Sequence, residues 1–112
     1  MVLKYFFTKI IKPFIVVYLK NNTNYYYKGF KLIVLAGVFH PRFFFSTKYL
    51  FKFIDKLHLE NKNCIEIGCG CGLLSLLMCN KKGTVTAIDI NDLAIKNTHL
   101  NFENNSAFLK AN

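Results

Sequence analysis

Residues 64–77 read CIEIGCGCGLLSLL, and Gly68, Gly70 and Gly72 stand there between two apolar runs. Glycine alternating with small residues is unsuited to a helix or strand interior. It suits a loop whose backbone turns sharply and lies close to something else. Asn63 to Ile67 reads as a short buried strand, Gly68 to Gly72 as the loop, and Leu73 to Asn80 as a helix apolar on nearly all sides. Gly83 is a natural C-cap. Thr84 to Ile90 is a second β-branched strand, and Asn91 or Asp92 caps a helix to about Glu103. Strand, loop, helix, strand, helix is the opening of a doubly wound α/β sheet, which binds ligands at the carboxyl ends of its strands.

The loop narrows the ligand. A phosphate-binding P-loop needs a lysine after its last glycine, and Leu73 stands there. The dinucleotide fingerprint needs a glycine at the sixth position counted from Gly68, which is again Leu73, and this disfavours a nicotinamide oxidoreductase. What remains is G-x-G-x-G. Asp89 ends the second strand 17 residues past Gly72. A carboxylate there can accept hydrogen bonds from both ribose hydroxyls and repels an added phosphate.

CIEIGCGCG followed by VTAIDIN resembles the first and second motifs of class I S-adenosylmethionine-dependent methyltransferases. The resemblance is closest to the small methyltransferase domain group, which includes release-factor glutamine methyltransferases and enzymes that methylate nucleobase amino groups. Upstream, GVFHPRFFFSTKYL resembles the segment that precedes the cofactor core, so the likeness covers about residues 25–104. It implies an α/β, Rossmann-like methyltransferase fold, S-adenosyl-L-methionine as cofactor, and a protein glutamine or nucleobase amino group as acceptor. By the same resemblance Glu66 helps position the methionine end of the cofactor, and Gly68, Gly70 and Gly72 form the loop around it. Asp89 binds the ribose, while Ile90 and Asn91 lie near the adenine. The plain alternatives are a solvated strand-end carboxylate for Glu66 and a helix N-terminal acid for Asp89.

The group's catalytic motif, Asn or Asp followed by two prolines and an aromatic residue, has no counterpart here. Pro13 and Pro41 are the two prolines, and both precede the loop. No residue is therefore assigned a catalytic role. The expectation is a single, truncated domain over residues 1–112, an incomplete fold with 1–62 as a helical and hairpin cover and 63–105 as the cofactor-binding half. The missing elements lead us to expect an open sheet edge and a fragment of low stability.

The first half reads differently. Residues 1–62 carry 11 Lys+Arg against 2 Asp+Glu, whereas residues 63–112 carry 4 against 4. That field raises a second reading, a non-catalytic module that binds nucleic acid or a membrane surface. The bland explanation is codon bias, since 14 of the 15 basic residues are Lys and the chain holds 12 Asn. Leu3, Phe6, Phe7, Ile10, Ile11, Phe14, Val17 and Tyr18 follow helical spacing, with Pro13 as a kink. A core-covering helix is expected, with an interfacial membrane helix as the alternative. Lysines at 4, 9, 12 and 20 leave no run long enough to span a bilayer, which needs ~20 residues.

After a polar turn at 21–24, Tyr25–Tyr27 and Lys31–Leu35 flank Lys28-Gly29 as a hairpin. Ser46 or Thr47 can cap a helix to about Leu57, with Leu50, Ile54 and Leu57 on one face. Cys64, Cys69, Cys71 and Cys79 lack metal-ligand spacing. With no signal peptide before them, reduced thiols and a cytoplasmic location are expected.

Overall fold

A computed structural model describes residues 2–13 and 20–111. Strands β1 (Thr23–Tyr27) and β2 (Phe30–Val34) pair antiparallel, Tyr25 opposite Leu32. Lys28 and Gly29 both have positive φ, 49° and 91°, the turn that matches the twist of a two-residue hairpin. Lys28 occupies it against the preference of a side chain for negative φ. Lys28→Gly is expected to raise the urea midpoint, corresponding to about 0.5–1 kcal/mol. An unchanged midpoint would mean that the turn relaxes around the lysine.

The hairpin expectation holds, with β1 beginning two residues earlier than expected and β2 displaced by one. Phe30, Leu32 and Val34 alternate inward from β2 and are almost fully buried. Helix α1 (Val2–Phe6) runs into a π-helical turn at Phe7–Ile11. The core-facing role expected of this segment is not what the described residues show. Leu3 is 81% exposed, and Val2, Phe6 and Ile10 are also exposed. Phe14, Val17 and Tyr18 of the same stripe lie outside the described residues.

A 3-10 turn at Pro41–Phe43 leads into α2 (Phe45–Asp55). The residue before α2 is Phe44, which makes no side-chain cap, so neither Ser46 nor Thr47 starts the helix. Its inward residue is Phe51, with Ile54 packed beside it, while Leu50 and Leu57 are exposed. The core offers aromatic partners on that side: Phe51 meets Tyr27 edge-on at 4.9 Å and Phe30 at 6.2 Å.

Strands β3 (Asn63–Ile67) and β4 (Thr84–Ile88) pair in parallel, Asn63 opposite Thr84 and Ile67 opposite Ile88. Helix α3 (Leu73–Asn80) connects them, and Leu73 through Met78 are all buried, as a sequence apolar there except for Ser75 requires. Among the described residues, the parallel pair is covered on one face only. Ile65 and Ile67 on the other face are 65% and 84% exposed, so β3 is not the buried strand expected. After α3, Lys82 rather than Gly83 takes the left-handed conformation, φ 65°. Gly83 is needed for space instead: a Cβ there would lie 3.0 Å from the Met78 carbonyl oxygen and 3.1 Å from Cys64 Sγ.

Helix α4 (Asp92–Asn104) is capped by Asn91, whose Oδ1 accepts from the Leu93 N–H at 3.0 Å. Helix α5 (Ser106–Ala111) follows and sets Phe108 edge-on to Phe30 at 5.3 Å. One face of α4 lies along the outer edge of β2. Asn97, Asn101 and Asn105 accept there from the N–H groups of Leu35, Ile33 and Lys31 at 2.9, 2.8 and 3.0 Å. Their amide groups donate back to the carbonyls of Ile33, Ile33 and Lys31. Four helical residues rise ~6 Å and two strand residues ~6.7 Å, so the two spacings keep step over this length. The helix thereby covers the exposed edge of a two-stranded sheet.

Candidate functional site

The glycine loop leaves β3 and is pinned at once. The N–H groups of Gly68 and Cys69 both donate to the Ile88 carbonyl, at 2.7 and 3.0 Å. The loop therefore hangs over the carboxyl end of the parallel pair. Gly68, Gly70 and Gly72 all have positive φ, but they serve two purposes. A Cβ at Gly68 would meet nothing within 4 Å, and one at Gly70 only the Phe39 carbonyl oxygen at 3.9 Å. Those two positions face open space that a ligand can fill. A Cβ at Gly72 would stand 3.0 Å from Thr98 Cγ2 and Oγ1, so Gly72 is a packing glycine.

Gly72→Ala is accordingly expected to destabilise more than Gly68→Ala, by about 1–3 kcal/mol against about 1. Urea midpoints of the two variants decide this. Equal midpoints would show that Thr98 moves aside without cost.

Asp89 follows β4 directly and turns back to the loop. Its Oδ2 accepts from the Gly70 N–H at 3.0 Å and its Oδ1 from the Asn91 N–H at 2.9 Å. Each oxygen keeps a second lone pair for a further donor. Glu66 reaches the loop's other side from β3. Its Oε1 accepts from Ser75 Oγ at 2.6 Å and from the Ser75 N–H at 3.1 Å. Burial pushes its carboxyl up to about 7; the two Ser75 bonds oppose that, and the Asp89 charge adds to it.

Two adjoining clefts open around these groups, of about 370 and 390 Å³. The first is lined by Glu66, Gly68, Gly70 and Asp89 together with Phe39, Thr47 and Leu50 from the segment before β3. The second is lined by Gly37, Val38, Phe39, Asn91 and Ala94. Phe39, Gly70 and Asp89 belong to both. Each cleft falls in the size range of small-molecule sites.

The structure thus brings Glu66, Gly68, Gly70, Asp89 and Asn91 together. Ile90 lines neither cleft and points fully into solvent. Gly72 supports the loop from behind. Phe39, Thr47 and Leu50 were not among the site residues expected from sequence; the signal for them was GVFHPRFFFSTKYL itself. His40, in the same segment, is structural. It is 2% exposed, its Nδ1 accepts from the Arg42 N–H, and Nε2 pairs with Thr23 Oγ1 at 3.0 Å. Burial and the neighbouring Arg42 charge lower its pKa to about 4. The loop thiols are poor nucleophiles: burial raises the pKa of Cys69 and pushes Cys71 to about 11. No group of His, Cys, Asp and Glu among the described residues forms a metal cluster. No described helix is long and apolar enough to cross a membrane.

Known proteins are similar to this chain in sequence. Ribosomal protein L11 methyltransferase of Helicobacter hepaticus is 32% identical over 66 residues, 59% of this chain and 21% of that protein. The Helicobacter acinonychis protein of the same name is 38% identical over 66 residues, and that of Shewanella woodyi 36% over 67. They cover 57% and 59% of this chain, and 20% and 22% of the relatives. The chain thus spans about a fifth of the length of the curated relatives it matches. No solved structure matches it. The family model of the methyltransferase small domain matches residues 29–112, from the hairpin turn through the glycine loop to the last helix. The strand–loop–helix–strand order and the matched span agree, and the chain belongs to the methyltransferase small domain family of class I S-adenosylmethionine-dependent methyltransferases.

Proposed function

We propose that this chain binds S-adenosyl-L-methionine across the two joined clefts and serves a methyltransferase whose acceptor is a protein. The observation that carries the reading is the convergence of Glu66, Gly68, Gly70 and Asp89 on one opening at the carboxyl end of β3 and β4. The ribose sits where the clefts meet, on the free lone pairs of Asp89. The adenine lies in the second cleft between Phe39 and Asn91, with Val38 and Ala94 as apolar floor. The methionine end enters the first cleft toward Glu66 and Thr47. Open space at Gly68 and Gly70 lets the backbone touch the ligand, which is the fit such a cofactor requires. When bound, the cofactor supplies an electrophilic methyl group on a sulfonium. This chain's residues bind and orient it. The names of the relatives favour a protein acceptor over a nucleobase.

Calorimetric titration with S-adenosyl-L-methionine tests the reading, with NAD as the comparison ligand. Asp89→Ala is expected to weaken binding by about 2–3 kcal/mol, because a charge-assisted pair of hydrogen bonds is lost. Asp92→Ala, one step into α4 and lining neither cleft, is expected to change it little. Equal losses in both variants would sink the ribose assignment. Tighter binding of NAD would replace the cofactor.

A further inference from the structure

The back of the glycine loop is held by side chains of α4 that do not line the cleft. Thr98 Oγ1 donates to the Gly70 carbonyl at 3.0 Å and lies 3.3 Å from Cys69 Sγ. Asn101 Nδ2 donates to the Cys71 carbonyl at 2.7 Å. Both side chains are buried, Asn101 completely. A trans peptide sets its C=O and N–H on opposite edges. Anchoring the Gly70 carbonyl on Thr98 therefore turns the Cys71 N–H away from α4, and Thr98 fixes the plane of that peptide.

The same helix face holds the opposite wall. Asn101 also bonds the N–H and carbonyl of Ile33, at 2.8 and 2.9 Å, and Asn97 bonds the Leu35 N–H. The Leu35 carbonyl accepts from the Val38 N–H at 3.0 Å, one residue before Phe39. Asn105 is the contrast. It completes the same ladder on Lys31, and its side chain bonds the Lys31 N–H and carbonyl and the Asn101 carbonyl.

We propose that Thr98 and Asn101 are positioning residues, which set the orientation of the glycine loop and the width of the cleft against Phe39, and thereby the affinity for the adenosyl cofactor. This rests on the cofactor reading above, and goes beyond it by placing part of the affinity in a helix behind the loop. A loop with three glycines has many backbone states available. The apparent Kd is the intrinsic Kd divided by the fraction of time the loop spends in the competent one.

Thr98→Val keeps the shape and removes the donor; Thr98→Ser keeps the donor. On the 112-residue chain, Thr98→Val is expected to weaken S-adenosyl-L-methionine binding about tenfold, and Thr98→Ser by less than about threefold. Asn105→Ala is expected to lower the melting temperature without changing the affinity of the folded protein. If that variant fails to fold, the Val and Ser pair still decides. Equal affinity of Thr98→Val and wild type overturns the proposal. So does a loss in Thr98→Ser as large as in Thr98→Val, since the hydroxyl is then not the cause.

Amide hydrogen exchange on the free protein separates this from the cofactor assignment. The Gly70 N–H on Asp89 and the Gly72 N–H on the Cys69 carbonyl are expected to exchange about tenfold faster in Thr98→Val. Unchanged exchange overturns the clamp even if the wild type binds the cofactor. Faster exchange together with no binding by the wild type supports the clamp and removes the cofactor reading instead.

Discussion

Asn101→Ala is expected to cost about 3–5 kcal/mol of folding stability, the largest effect of any single substitution considered for this chain. The side chain has no solvent exposure and makes three hydrogen bonds, to the Ile33 N–H, the Ile33 carbonyl and the Cys71 carbonyl. Removing it strands the Ile33 N–H and the Cys71 carbonyl away from water. Each such group costs ~1–3 kcal/mol, and the vacated volume adds a cavity term. The Ile33 carbonyl loses less, because Asn97 still donates to it at 2.6 Å. Small domains are stable by only about 5–15 kcal/mol, so much of the margin goes. Asn104→Ala is the control: it sits in the same helix with an exposed side chain and is expected to change stability by less than about 0.5 kcal/mol. Urea denaturation followed by circular dichroism reads both. A loss below about 1 kcal/mol for Asn101→Ala would mean that water or a shifted β2 replaces the ladder.

The pH dependence of stability is expected to be carried by two groups of opposite sign. Burial in the folded chain pushes the Glu66 carboxyl up to about 7 from its ordinary 4.5. The folded state therefore binds the extra proton between those values, and stability falls as pH rises. This contribution is fully present below about 4.5 and gone above about 7. His40 runs the other way. Its folded value is about 4 against 6.5, so the unfolded chain binds the extra proton and stability falls as pH drops from 6.5 toward 4. Each group is worth about 2–3 kcal/mol after discounting for partial solvent contact. The wild type is accordingly expected to be nearly flat between pH 4.5 and 6.5. Glu66→Gln exposes the His40 slope, so its stability climbs over that window by about 2–3 kcal/mol relative to wild type. The difference between the two curves isolates Glu66, because every other group titrates in both. A difference that does not vary with pH would place the Glu66 carboxyl at its ordinary value and remove Asp89 and burial as influences on it.

The prediction on Asn101 also marks where sequence reading stopped. Asn97 and Asn101 stand at four-residue spacing in a helix expected to run to about Glu103, Asn105 follows just past its end, and the 12 asparagines had a compositional explanation. A buried polar stripe at that spacing was the available signal. Its meaning needed β2, which lies more than 60 residues earlier in the chain. Similarly, the helical spacing of residues 3–11 was legible, but the exposure of Leu3, Phe6 and Ile10 depends on whether any surface meets them.

What the sequence determined by itself is local. Glycines at 68, 70 and 72 impose a loop, Lys28-Gly29 a two-residue turn, and residues 73–78, apolar except for Ser75, a helix with no free face. Asp89 at a strand end placed a carboxylate beside the loop. Backbone torsion limits, side-chain periodicity and hydrogen-bonding residues within a few positions decide such features, and all of these are written along the chain. The tertiary structure alone decided which faces are covered. It separated Gly72, packed on Thr98, from Gly68 and Gly70, which face the cleft. It brought Phe39, Thr47 and Leu50 opposite Glu66, and it left Ile65 and Ile67 bare. Burial is a property of what arrives from elsewhere in the chain, and local spacing carries no record of the partner.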